Sequence, residues 1–169
     1  FRSDHSDTEV VVHGYEEWGD ELPIRLNGMF AFAIYDMRRR RLFLARDRFG
    51  EKPLCYTHQN GVFAFASEMK ALAAHPALGF SIDPLGLQKF FAHGFTPAPN
   101  TIYRECRKLP AGHSLTFDIA EGRIQTRGYW RFSINPDEGL TAKDEPRLAE
   151  EARALLFQSV ERRLLSDVP

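Results

Sequence analysis

The segment from Asn27 to Leu54 constrains the fold more than any other part of the chain. Its first half contains residues 30–35 (FAFAIY), which are apolar at every position, with bulky side chains on one face and mostly small ones on the other. A sheet that faces water on one side has polar residues at alternate positions, so both faces of this strand are expected to be covered. The segment therefore predicts a strand at the centre of a sheet, between two layers.

A second apolar strand and a highly charged stretch follow. Residues 41–46 (RLFLAR) are expected to pair with the first strand around a turn at residues 37–40. Residues 46–52 (RDRFGEK) then place five charges in seven positions, and Gly50 can adopt backbone angles closed to other residues. Two interpretations stay open: a solvated turn, as is usual for charged loops, or a polar hub at the rim of a site.

The first predicted helix begins at a capping box. The Ser6 hydroxyl can accept from the Glu9 N–H while the Glu9 carboxylate returns to Ser6, which predicts a helix over residues 8–18. Asp7 then lies in the first turn, where its charge suits the helix dipole. The alternative is that Asp7 presents its carboxylate to an ammonium group, a stronger, charge-assisted contact.

The remaining pattern predicts alternating hairpins and short helices. An Asn60-Gly61 turn joins strands at 53–58 and 62–67, and a turn at Glu121-Gly122 joins strands at 114–117 and 123–127. The other predicted elements are a helix at 68–74 capped by Ser67, a helix at 84–93, a loop at 97–110, a linker at 131–144 and an amphipathic helix beyond it. Together they predict an α+β fold with a layered antiparallel sheet covered on both faces.

Composition excludes several classes of function. The 22 basic and 23 acidic residues leave a net charge of −1, which gives no electrostatic case for nucleic acid or a membrane surface. No apolar run is long enough to span a bilayer, and the six histidines share no metal-binding spacing. The two cysteines, Cys55 and Cys106, are interpreted as a small buried hydrophobe and a loop residue, so the cytoplasm is the expected location. Arg38–Arg41 are interpreted as a solvated hairpin tip, with phosphate binding as the alternative.

The chain ends suggest a piece of a longer protein. The sequence opens on Phe1, a residue typical of a strand already under way, and closes on Ser166–Pro169 without a terminating tail. Essential residues are therefore expected on either side of it.

Five motifs in register carry a resemblance to a known family. They are Ser6–Gly19 (SDTEVVVHGYEEWG), Asn27–Asp36 (NGMFAFAIYD), Leu42–Leu54 (LFLARDRFGEKPL), Phe65–Pro76 (FASEMKALAAHP) and Lys108–Leu115 (KLPAGHSL). The chain resembles the glutamine-dependent asparagine synthetases along nearly its whole length. The resemblance implies an N-terminal-nucleophile hydrolase fold, an α/β/β/α sandwich. It also implies that residues 1–130 are the C-terminal part of a class II glutamine amidotransferase domain, 131–144 a linker, and 145–169 the start of an ATP pyrophosphatase-type synthetase domain.

The same resemblance implies a reaction. An N-terminal cysteine, expected before Phe1, releases ammonia from glutamine, and the second domain uses ATP and Mg²⁺ to amidate aspartate. The isolated chain is therefore expected to be inactive, and the full protein to be a homodimer. Two alternatives stay open: an amidotransferase of a polysaccharide- or exosortase-associated cluster with a different nitrogen acceptor, and a scaffold that keeps the fold without the chemistry.

Three residues match positions with an implied role. Asp7 matches the aspartate that holds the α-amino group of glutamine. Met29 matches a residue near the ammonia tunnel, and Glu51 departs from the aliphatic residue usual beside that tunnel. Cys55 departs more mildly from an aromatic position. The charged stretch around Asp47 is assigned to a structural hub without catalytic duty.

Overall fold

The computed structural model describes residues 6–164 and divides the chain into two compact units, Phe1–Arg131 and Phe132–Pro169. The chain-end residues interpreted above, Phe1 and Ser166–Pro169, lie outside the described residues.

The first unit is α+β. Its helices are α1 (Asp7–Trp18), α2 (Leu22–Arg25), α3 (Met69–Ala73) and α4 (Pro84–His93), and a 3-10 turn (Gly19–Glu21) joins the first two. Its strands are β1 (Ala31–Asp36), β2 (Arg41–Arg46), β3 (Cys55–Gln59), β4 (Val62–Ala66), β5 (Arg107–Lys108), β6 (His113–Asp118) and β7 (Arg123–Gly128). All pairings are antiparallel, in one sheet of order β1-β2-β6-β7 and another of order β4-β3-β5. The predicted α+β class with antiparallel sheets is confirmed.

The central position predicted for the first strand stays a prediction. Within the described residues β1 pairs on one side only, and the inner strands of its sheet are β2, where residues 43–45 are fully buried, and β6. Cover over β1 is incomplete, since Ala33 is exposed and Tyr35 is 56% exposed. The apolar pattern reports which side chains avoid water but not how many strands pair with the backbone, so it does not by itself locate a strand within its sheet.

The two sheets enclose the main core. Side chains from both contribute to it, namely Leu44, Leu54, Tyr56, Leu109, Leu115 and Phe117. The ring of Phe63 stacks on that of Phe117, with centroids 4.3 Å apart. On the opposite face of the larger sheet, α1 packs its Tyr15 ring 5.3 Å from that of the fully buried Phe43. A helical layer therefore lies over the first sheet and the second sheet lies beneath it.

Local sequence signals determine where most of the helices and strands begin and end. Ser6 caps α1 by accepting from the Glu9 N–H at 3.3 Å, and Asn60 and Gly61 both have positive φ, as their two-residue hairpin turn requires. Two expectations are corrected. Ser67 caps no helix, because α3 begins at Met69 after an uncapped Glu68. The expected loop at 97–110 contains β5, which is too short to show alternation.

The second unit contains a 3-10 turn, Ala142–Asp144, followed by α5 (Glu145–Glu161). A capping box between Thr141 and Asp144 opens it. Large apolar side chains of α5 are exposed, among them Leu155, Leu156 and Phe157. Across residues 6–164 there is no helix of the length and apolar character that crossing a bilayer demands. The assignment of this unit to a linker and a synthetase domain stays a prediction.

Candidate functional site: a groove along the edge of β1

An open groove of about 410 Å³ runs beside β1. Its walls come from α1, from β1 with the two residues before it, from the end of the charged stretch with the residue after it, and from Ser67. The lining residues are Asp7, Thr8, Val11, Val12, Met29, Phe30, Ala31, Phe32, Ala33, Ile34, Lys52, Pro53 and Ser67. Because residues from both faces of β1 take part, the groove follows the edge of the strand itself.

The backbone of β1 contributes polar groups to the groove. The Asp47 N–H donates to the Phe30 carbonyl at 2.9 Å, so Phe30 points its backbone toward β2. In an antiparallel ladder this direction alternates, and the N–H and C=O groups of Ala31 and Ala33 therefore point away from β2. No strand among residues 6–164 pairs with that edge. The groove thus offers backbone donors and acceptors as well as apolar surface.

Asp7 supplies the negative charge of the groove. It is the first residue of α1, it is exposed, and its Oδ1 accepts from the Thr8 hydroxyl at 3.3 Å. A carboxylate in the first turn is favoured by the helix dipole, whose positive end faces it. The helix position and the groove position therefore coexist, and this carboxylate can still accept hydrogen bonds from a bound cation.

Lys52 supplies the positive charge, and no local sequence signal predicts that its side chain lines a groove. Its N–H donates to Asp47 Oδ2 at 3.0 Å and its carbonyl accepts from Arg46 Nε at 2.7 Å, so its backbone is held on both sides. Asp7 and Lys52 are the two formally charged residues among those lining the groove. One anion and one cation in a mostly apolar groove complement a zwitterion with an apolar body, such as a free amino acid.

The two residues predicted beside the ammonia tunnel differ in position. Met29 lines the groove and is 46% exposed. Glu51 is exposed and does not belong to the groove lining, although its N–H donates to Asp47 Oδ1 at 3.0 Å. The structure thus brings Met29 and Asp7 to one groove and leaves Glu51 outside it. The roles of all three stay predictions.

The charged stretch beside the groove is a hydrogen-bonded hub, and for Asp47 the solvated-turn interpretation is wrong. Asp47 is 1% exposed and accepts from the N–H groups of Phe49, Glu51 and Lys52 at 3.0–3.1 Å. Burial alone would raise the pKa of the Asp47 carboxyl, but the backbone N–H donors outweigh it and lower the pKa. Asp47 therefore stays ionised and fixes the segment that carries Lys52.

Arg46 completes the hub from the other side. Its guanidinium donates to the carbonyls of Lys52 at 2.7 Å, Leu109 at 2.7 Å and Gly50 at 2.5 Å. The donor to Leu109 links the hub to a residue distant in the chain. These contacts fit the structural role predicted for the stretch.

The arginine-rich hairpin tip is only partly solvated. Arg38, Arg39 and Arg40 are exposed, but Arg41 is half-buried and donates to Asp20 and to the Tyr15 hydroxyl. The solvated interpretation is therefore wrong for Arg41, because its charge is paired inside the α1–β2 interface. No group of three or more His, Cys, Asp or Glu side chains suited to a metal ion is found over residues 6–164.

Comparison with known proteins places these features in a family. A family model described as a glutamine amidotransferase domain matches residues 1–130. Asparagine synthetase [glutamine-hydrolyzing] 3 of Bacillus subtilis (strain 168) is 39% identical over 165 residues, which cover 97% of this chain and 26% of that protein. The putative asparagine synthetase [glutamine-hydrolyzing] 2 of Methanocaldococcus jannaschii is 36% identical over 166 residues, covering 97% of this chain and 32% of that protein.

A relative with a different name matches as extensively. The amidase chyE of Penicillium rubens is 29% identical over 165 residues, covering 97% of this chain and 24% of that protein. The chain thus spans about a quarter to a third of the length of these relatives. Since the family model covers most of its residues, the chain belongs to the glutamine amidotransferase domain family.

Proposed function

We propose that the chain is part of a glutamine-hydrolysing asparagine synthetase, in which ammonia released from glutamine amidates aspartate. The groove is the observation that supports this proposal most directly. It lies in a glutamine amidotransferase domain, and its charged lining residues contribute one carboxylate and one ammonium group. The names of the Bacillus and Methanocaldococcus relatives support the same reaction.

In this proposal the groove binds glutamine as a zwitterion. Asp7 accepts hydrogen bonds from the α-ammonium group, a charge-assisted contact worth about 1.5–3 kcal/mol. Lys52 gives the groove a positive charge that favours the α-carboxylate. The aliphatic part of the substrate then contacts apolar residues such as Phe32 and Ile34.

The catalytic nucleophile is proposed to be an N-terminal cysteine carried by a segment that precedes Phe1. Its thiolate attacks the side-chain amide carbon of glutamine, ammonia leaves, and water hydrolyses the resulting thioester. The proposed fold is that of N-terminal-nucleophile hydrolases. Met29 is proposed as an apolar wall for the departing neutral ammonia, with Glu51 nearby.

The acceptor chemistry is proposed for a second domain that begins near residue 145. ATP, Mg²⁺ and aspartate are assigned to that domain, and the full protein is proposed to be a homodimer in the cytoplasm.

A second candidate is an amidotransferase with a different nitrogen acceptor. It is favoured by the match to the Penicillium protein, which is named as an amidase. Glutamine binding at Asp7 is common to both candidates, so only the product distinguishes them.

The test uses the full-length protein and measures ammonia release from glutamine, with and without aspartate and ATP. Asp7→Asn is expected to lower kcat/KM for glutamine by about 10- to 100-fold, since it removes one charge-assisted contact. Glu17→Gln, an exposed carboxylate of α1 that does not line the groove, is the matched control and should leave kcat/KM unchanged. The isolated 1–169 chain should release no ammonia.

Each outcome addresses a different part of the proposal. Equal activity of the Asp7 and Glu17 variants would remove Asp7 from glutamine binding. Ammonia without asparagine would support the second candidate. A parent protein that releases no ammonia would contradict glutamine hydrolysis altogether.

A further inference from the structure

The only two cysteines of the chain meet in the folded protein. Cys55 is the first residue of β3 and Cys106 directly precedes β5. They are 4% and 2% exposed and belong to one buried apolar cluster with Leu72. A buried residue contacts about 6–12 others. Two cysteines placed at random in a chain of 169 residues would therefore touch in roughly one case in twenty.

Each thiol shifts the acidity of the other. The hydrogen bond from Cys106 lowers the pKa of Cys55, burial opposes this, and the nearby Lys108 and Arg46 charges add to the lowering. The same hydrogen bond and burial raise the pKa of Cys106. Cys55 is therefore the better nucleophile of the two, because thiolates attack disulfides and thiols do not.

The strand register sets the distance that a bond would have to close. Cys55 lies opposite Lys108, and Cys106 precedes Lys108 by two residues, where a continuation of β5 would place a diagonal neighbour of Cys55. Such diagonal neighbours lie about 7–8 Å apart, whereas a disulfide holds its Cα atoms about 4.4–6.8 Å apart. A shift of about 1–2 Å is needed, and β5, with its two residues, is a short ladder that can supply it.

We propose that Cys55 and Cys106 form an oxidisable dithiol that closes to a disulfide on reaction with a low-molecular-weight disulfide. The Cys55 thiolate attacks one sulfur of the oxidant and releases one thiol, which leaves a mixed disulfide on Cys55. Cys106 then loses its proton and attacks the Cys55 sulfur, which releases the second thiol. The protein loses two electrons and two protons, and the oxidant gains them.

The bond would tie the start of β3 to the segment that precedes β5. Pro53, two residues before Cys55, lines the groove beside β1. Oxidation therefore fixes one wall of the groove to a distant part of the chain. This modification does not depend on the proposed reaction with glutamine.

The test treats the native 1–169 chain with oxidised glutathione and follows it by intact mass and non-reducing peptide mapping. We expect the mass to fall by two hydrogen atoms, with the Cys55 and Cys106 peptides joined and no glutathione retained. In Cys106→Ser the mixed disulfide should accumulate on Cys55. In Cys55→Ser, Cys106 should react roughly tenfold more slowly than Cys55 does in Cys106→Ser, because burial raises the pKa of the Cys106 thiol.

The same reaction in denaturant shows that the reagent is active on both thiols. Native thiols that stay unreacted while the denatured ones react would overturn the proposal. Two glutathiones per chain, or a disulfide between chains, would overturn it equally. Peptide mapping of the unsubstituted protein distinguishes the intramolecular disulfide from these other products even if a variant does not fold.

Discussion

Replacing Asp47 with asparagine tests whether the buried charge organises the hub. The substitution keeps the shape of the side chain but turns one acceptor oxygen into an NH₂ donor. In the parent, Oδ1 accepts from Phe49 and Glu51 and Oδ2 accepts from Lys52, all at 3.0–3.1 Å. The amide of the variant can serve only one side of this arrangement, so at least one backbone N–H faces another donor.

The expected cost follows from the burial of the site. Asp47 is 1% exposed, so water cannot replace the lost acceptor. A hydrogen bond to a charged group contributes about 1.5–3 kcal/mol, and a buried unsatisfied donor costs about 1–3 kcal/mol. These contributions overlap, and Asp47→Asn is expected to lower the free energy of unfolding by about 2–4 kcal/mol.

Asp118→Asn is the matched control. Its Oδ1 accepts from the N–H groups of Ala120 and Glu121 at 2.9 Å, but in an exposed turn and through one oxygen that asparagine retains. A change within about 0.5 kcal/mol is expected there. Urea unfolding followed by tryptophan fluorescence suits both variants, because Trp18 and Trp130 lie in the first unit. If Asp47→Asn costs no more than Asp118→Asn, the charge does not organise the hub.

The pH dependence gives an independent check on the same carboxylate. Its pKa is lowered in the folded state, so its contribution to stability is present above the ordinary aspartate range and is lost as pH falls through the lowered pKa. The stability difference between parent and Asp47→Asn should stay constant near neutral pH and narrow below about pH 4. A difference that does not change down to acid unfolding would contradict this role.

Two further substitutions probe close packing and a buried hydroxyl. Gly86→Ala would put a Cβ 2.0 Å from the Thr101 carbonyl oxygen and should cost about 2–3 kcal/mol in urea unfolding, whereas Gly79→Ala, with no atom within 4 Å, should cost less than about 0.5 kcal/mol. Equal costs would refute the packing argument. Tyr129→Phe removes a hydroxyl that donates to the Arg46 carbonyl at 2.6 Å. It should lower the free energy of unfolding by about 1–2 kcal/mol, and the melting temperature with it. Tyr35→Phe, at an exposed position, should leave the melting temperature unchanged, and a matching drop there would show that the Arg46 contact is not the cause.

Elements fixed by neighbouring residues were predictable from the sequence. The Asn60-Gly61 hairpin depends on two adjacent residues that tolerate positive φ, and both have it. Helix α4 runs from Pro84 to His93 as predicted, since proline suits its first turn and Gly94, at φ 75, ends it in the left-handed conformation. Such signals depend on a few neighbouring residues and have the same effect in different tertiary contexts.

Features that need distant segments to meet were not predictable. The sequence placed Asp7 at a helix start, but the groove also requires β1 and Lys52, which approach Asp7 only after the chain folds. The same limit applies to the shared cluster of Cys55 and Cys106. Periodicity reports the burial of a face and carries no record of which other segment covers it.

The end of the family-matched segment is fastened to the hub, which limits where this chain can be shortened. The Tyr129 hydroxyl donates to the Arg46 carbonyl, and the N–H groups of Tyr129 and Trp130 both donate to the carbonyl of Gly112, at 2.8 and 3.2 Å. A version that stops before Tyr129 would leave the carbonyls of Arg46 and Gly112 without these donors. One that stops after Arg131 would keep both rings and end where the two compact units divide.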